Sequence, residues 1–147
     1  MPHRSGPRPR PAGPARAAVL CAVVTATAVG GCGAGAAESD ARSAADSFLD
    51  AAGTDPASAC ERLAPETRST LEENTGSSCD AALRQVGLGA AGAAESVEVA
   101  GHGAQVRYEG DTVFLALFDT GWLVTAAGCR RTSDDRSEPY DCDVEGG

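Results

Sequence analysis

The chain has 147 residues, the size of one domain, with 12 Lys+Arg against 21 Asp+Glu and a formal net charge of −9. Every one of the twelve cations is arginine, and isoleucine is absent along with lysine. So acidic a surface repels phosphate backbones, which argues against nucleic acid as a partner.

Arg4, Arg8, Arg10 and Arg16, interleaved with Pro7, Pro9, Pro11 and Pro14, make a positive start, and residues 17–29 follow without a charge. A basic stretch and then an apolar one, carrying Val19, Leu20, Val23 and Val24, are the first two parts of an export signal. The apolar part is shorter than the roughly 20 residues a membrane-crossing helix needs. It closes in Val29-Gly30-Gly31-Cys32, which resembles a bacterial lipobox: small residues directly before the modified cysteine and an aliphatic one three positions before it. The expectation is a signal peptide over residues 1–31, a lipidated flexible tether over 32–38 and one small extracytoplasmic domain over 39–147. A thioether-linked diacylglycerol on Cys32 supplies two acyl chains. At about 0.8 kcal/mol per buried methylene, two chains hold a protein on a membrane durably. The expected location is therefore the outer face of the cell membrane, reached through the lipid anchor. Ala26-Thr27-Ala28 and Ala34-Gly35-Ala36 are alternative cleavage sites, whose product is freely secreted. Cutting before Cys32 leaves 8 arginines against 21 acids, a formal charge of −13.

Past the tether, Ala41, Ala44, Ala45, Phe48, Leu49 and Ala52 recur along one helical face, with Ser39 as N-cap and Gly53 as stop. Asp55-Pro56 reads as an N-cap followed by proline at the first helical position, opening a short helix through Cys60 and Leu63. Pro65 starts another through Leu71, and Ser78 caps a fourth over residues 79–86 that presents Ala82, Leu83 and Val86. Helices this short need tertiary support. Gly87-Leu88-Gly89-Ala90-Ala91-Gly92 has the letters of a dinucleotide fingerprint, but it follows a helix and precedes a strand, the reverse of the context that holds pyrophosphate. It reads as a connector.

From Ser96 the period becomes two. Val97 and Val99 alternate with polar residues, Gly101-His102-Gly103 turns the chain, and Ala104, Val106 and Tyr108 alternate again. Glu109-Gly110-Asp111 is the next turn. Residues 112–118 are apolar at both parities, as in a central strand, and Asp119-Thr120-Gly121 leads into a strand over 122–127. Residues 130–138 are polar loop, and 139–144 return as a short edge strand. The pattern is an antiparallel meander.

Cys21 lies in the apolar run and Cys32 is assigned to lipid, which leaves Cys60, Cys79, Cys129 and Cys142, an even number for an oxidising compartment. Four cysteines allow three pairings. Nearness along the chain favours Cys60 with Cys79 and Cys129 with Cys142, each loop worth about 3 kcal/mol. A tetrathiolate zinc site is the alternative, and the chain offers it no Cys-x-x-Cys pair. No cofactor or metal is expected.

Other polar residues carry weak chemistry. His102, between two glycines, reads as a turn residue, with no cysteine nucleophile or second histidine to accompany it. No Gly-x-Ser-x-Gly elbow occurs. The acids of residues 134–145 lack the order of a calcium loop. Tyr108, Asp111 and Asp119 have the residue types of an acid-base site, although both carboxylates fall at turns, where solvation is usual. Trp122, the one tryptophan, and Tyr108 are the candidates to line a concave face.

Short helices leading into a curved antiparallel sheet give an α+β fold, and this order resembles the cone-shaped domains of the nuclear-transport-factor-2-like and ketosteroid-isomerase-like families. Ala59-Cys60-Glu61-Arg62-Leu63-Ala64-Pro65-Glu66-Thr67, Gly121-Trp122-Leu123-Val124-Thr125-Ala126-Ala127-Gly128-Cys129 and Pro139-Tyr140-Asp141-Cys142 resemble small actinobacterial lipoproteins. The likeness transfers no functional motif, and the strand usual between the early helices of the cone is not evident. Such domains host enzymes, binders and assembly modules alike. The expected function is a lipid-anchored, non-catalytic binding or envelope-assembly module, whose concave face meets another envelope protein or a small apolar ligand. The alternative is a cone-fold isomerase, with a carboxylate as base and the Tyr108 hydroxyl facing the oxyanion.

Overall fold

The computed structural model describes residue 6 and residues 32–89, 91–135 and 137–146. The chain divides into two units, Met1–Gly30 and Gly31–Gly147, and every described element belongs to the second. Helices α1 (Cys32–Thr54), α2 (Pro56–Cys60), α3 (Pro65–Thr75) and α4 (Cys79–Val86) come first. Strands β1 (Ser96–Ala100), β2 (Gly103–Tyr108), β3 (Asp111–Phe118), β4 (Gly121–Arg131), β5 (Tyr140–Asp141) and β6 (Val144–Glu145) follow. The fold is α+β, with an open antiparallel sheet in the order β1-β2-β3-β4-β5 and β6 also paired to β4.

Helix α1 is longer than its apolar pattern. It starts at Cys32 instead of at a Ser39 cap and continues through Gly53, so residues 32–38, expected as a flexible tether, are helical. Alanines at 34, 36 and 37 favour helix strongly enough to carry Gly33 and Gly35. Ala41, Ala45, Phe48, Leu49 and Ala52 are buried on one side of α1, which packs across the sheet. Helices α2 and α3 each open on proline, where the missing N–H would have no helical partner. The Cys60–Cys79 disulfide ties α2 to α4.

Register fixes the two faces of the sheet. Ala104 is opposite Leu115, and Val106 opposite Val113; these, with Val124, are buried against the helices. Gln105 opposite Phe114 and Arg107 opposite Thr112 point the other way. The helices cover one side only. β3 is the central strand expected of residues 112–118, flanked by β2 and β4, but its burial is uneven: Phe114 and Ala116 are half-buried, and at its far end Leu117 and Phe118 are 41% and 40% exposed.

Strand β4 carries two irregularities. Leu115 is opposite Val124, Phe114 opposite Ala126 and Thr112 opposite Cys129, so two extra residues bulge out of β4. Its far edge is covered piecewise. Val124 donates to the Arg62 carbonyl and accepts from Ala64 N–H, a parallel bridge at Leu63 between α2 and α3, where the sequence shows no strand. β6 pairs with Ala126 and Ala127, and β5 with Arg130 and Arg131. The single edge strand expected over 139–144 is thus two short pieces on either side of Cys142, which is bonded to Cys129. Among the described residues, no helix is long and apolar enough to cross a membrane.

Candidate functional site

The lipobox residues Val29, Gly30 and Gly31 lie outside the described residues, as does the side chain of Cys32, whose backbone opens α1. Both disulfides join the cysteines that are neighbours along the chain. Tyr108 and Trp122 sit on the helix-facing side of the sheet, the first buried and the second half-buried. The space in front of them is filled by Phe48 and Leu49 of α1, together with Val106, Val113 and Val124. A partner is therefore not met by Tyr108 on that face.

The three polar candidates do not converge. Tyr108 and Asp111 are paired where β2 turns into β3, whereas Asp119 is at the β3–β4 turn beyond the other end of β3. Asp111 is half-buried, and its Oδ1 accepts the Cys129 N–H at 3.1 Å. Burial pushes its carboxyl above the ordinary value of 3.8, while backbone N–H groups of Thr112 and Cys129 pull the other way. Tyr108 instead donates its hydroxyl to Asp46 Oδ1 at 2.6 Å, and Asp46 also pairs with Arg42 at 3.5 Å. Burial, then the hydrogen bond to Asp46, raises the ionisation of Tyr108 above its usual range. The cavity beside this pair, bounded by Leu49, Asp50, Ala91 and Gly92, is about 70 Å³. It has room for water and not for a drug-sized substrate. His102 is in a turn, where its carbonyl accepts Leu117 N–H. Gly87 caps α4 in the left-handed region, so the dinucleotide-like run begins as a helix stop.

The face away from the helices holds a larger opening. A groove of about 490 Å³ is lined by Glu95, Arg107, Thr112, Arg130, Arg131 and Tyr140, among others. Arg107 Nε donates to Ser96 Oγ at 3.0 Å; Arg130 reaches Asp143 at 2.8 Å; Arg131 lies 5.0 Å over the Tyr140 ring. Tyr140 also meets Phe114 edge-on at 5.0 Å and accepts Gln105 Nε2 at 3.0 Å. Past it, an apolar depression of about 320 Å³ is bordered by Ala100, Gln105 and Phe114. Sequence reasoning missed this site. The available signal was the doublet Arg130-Arg131 next to Cys129 in a strongly acidic chain. Among the described residues, no group of three or more His, Cys, Asp or Glu is placed to hold a metal ion.

Comparison of the chain with protein-family models, with curated proteins and with solved structures yields no match.

Proposed function

We propose that the protein is a lipid-anchored extracytoplasmic binding or envelope-assembly module that works without catalysis. Diacylglycerol on Cys32 holds it at the outer face of the cell membrane, and it engages its partner through the face of the sheet turned away from the helices. The observation that carries this reading is the one-sided burial: α1 fills the inner face, while the outer face leaves Phe118 exposed, Phe114 half-buried and the arginine groove open. Two disulfides accord with an oxidising compartment. Radiolabelled palmitate is expected to enter the wild-type chain in bacterial cells and to be absent from Cys32→Ser. Label in both or in neither rejects the anchor and leaves the secreted alternative.

A second reading, a cone-fold isomerase, draws support from the short Tyr108–Asp46 hydrogen bond, a hydroxyl and a carboxylate in acid-base reach. It is the weaker one, because the adjoining cavity of about 70 Å³ is far below the roughly 300 Å³ of the smallest usual ligand sites.

A further inference from the structure

We propose that the outer-face groove binds the carboxylate of a small organic monoanion, held by Arg107 and Arg131, with the apolar body of the ligand lying along Phe114. This shares with the reading above the choice of binding face and adds the ligand class. Register brings the two arginines to the same side of the sheet. Arg107 is opposite Thr112, Thr112 is opposite Cys129, and Arg131 follows Cys129 by two residues on β4.

Both guanidinium groups are positioned by neutral partners. The Ser96 hydroxyl takes Arg107 Nε, which leaves the terminal amino groups to form a two-pronged contact, and the Tyr140 ring steadies Arg131. Among the described residues neither pairs with a carboxylate, whereas Arg42, Arg68, Arg84 and Arg130 each do. In a chain with 21 acids, two arginines without a counter-ion in one groove point to an anion from outside.

Local charge disfavours an anion with more than one negative charge. Glu95 and Asp111 line the groove together with Arg107, Arg130 and Arg131, Asp143 holds Arg130, and Glu98 borders the adjoining depression, so these acids offset much of the arginine charge. A carboxylate fits this balance, and a phosphate dianion overfills it. Volume and lining agree: about 490 Å³ is ordinary for a small-molecule site, and the neighbouring depression at Phe114 and Ala100 offers apolar surface to the rest of the ligand. The Cys129–Cys142 bond fixes the arms before the ligand arrives, since Arg131 and Tyr140 each stand two residues from a bonded sulfur.

Benzoate titrated into the full-length chain, followed by calorimetry and amide NMR shifts, is expected to saturate one site. Arg107→Ala and Arg131→Ala each weaken it by about tenfold or more, as loss of a charged hydrogen-bond donor does. Arg131→Lys weakens it similarly, because lysine keeps the charge and loses the fork. Glu95→Gln tightens it, a gain that misfolding cannot imitate. Inorganic phosphate binding more tightly than benzoate, a benzoate affinity indifferent to both arginines, or the lack of a saturable response overturns the proposal. The titration needs neither an acyl chain nor an envelope partner. Its failure therefore leaves the anchored-module reading standing, and failed palmitate labelling leaves this one standing.

Discussion

At Gly128 two constraints meet. Its φ of 68° lies in the left-handed region, and a Cβ there would come within 2.6 Å of Asp143 Oδ2 and 3.0 Å of Leu88 Cδ2. Gly128→Ala is expected to lower stability by about 1–3 kcal/mol, the usual cost of strained backbone, read from the denaturant midpoint. Asp111 tests a different balance. Its raised carboxyl means that the folded chain prefers the protonated form, so the charged form weakens the native state at neutral pH. Asn at this position keeps an acceptor for Cys129 N–H and removes the charge. Asp111→Asn is thus expected to be more stable than wild type at pH 7. That advantage should shrink as pH falls through the raised value and level off below 3.8, in unfolding curves taken across that range. An advantage that grows on acidification would reverse the assignment of burial as the dominant cause. Neither residue announces its role in sequence, where Gly128 is one of 18 glycines and Asp111 looks like a solvated turn carboxylate.

Among the elements, the short helices were the most legible. Pro56 and Pro65 mark the starts of α2 and α3 through their own backbone chemistry, which needs no distant partner, and Ser78 stands at the N-cap of α4 with its hydroxyl donated to Asp80. The start of α1 was not legible, because the lipobox pattern suggested a tether where alanine content sustains a helix. Within β4, alternation fails twice at the bulges, so Ala127 faces the core although parity from Val124 would turn it outward. α2 has five residues and α4 eight, too few to persist alone, which makes their covalent link consequential. Replacing Cys60 and Cys79 together by alanine is expected to cost about 3 kcal/mol, measured as a lowered unfolding midpoint under non-reducing conditions. An unchanged midpoint would show that packing of Leu83 and Phe48 suffices without the bond.

For the whole molecule, the distribution of charge matters more than its sum. The acids are spread along the chain, while Arg107, Arg130 and Arg131 from β2 and β4 converge on one groove of the outer face. On the proposed reading, an anchor on Cys32 would concentrate that face at the membrane surface and so couple anchoring to binding. Crosslinking in cells followed by pull-down is expected to recover specific envelope partners with the wild-type chain and to lose them with Cys32→Ser. Equal recovery from both would separate the partner from the anchor.

The chain by itself determined the α+β order, and nearness along it favoured the cysteine pairing that the structure contains, since punctuation, periodicity and spacing are local properties. Only the tertiary structure decided which side of the sheet is covered, that Tyr108 is bound to Asp46 62 residues away, and that Arg107 and Arg131 share a groove. These depend on strand register and on the two bulges in β4. Register is settled by packing against α1 and by the Cys129–Cys142 link, interactions between residues far apart in sequence that no local pattern encodes.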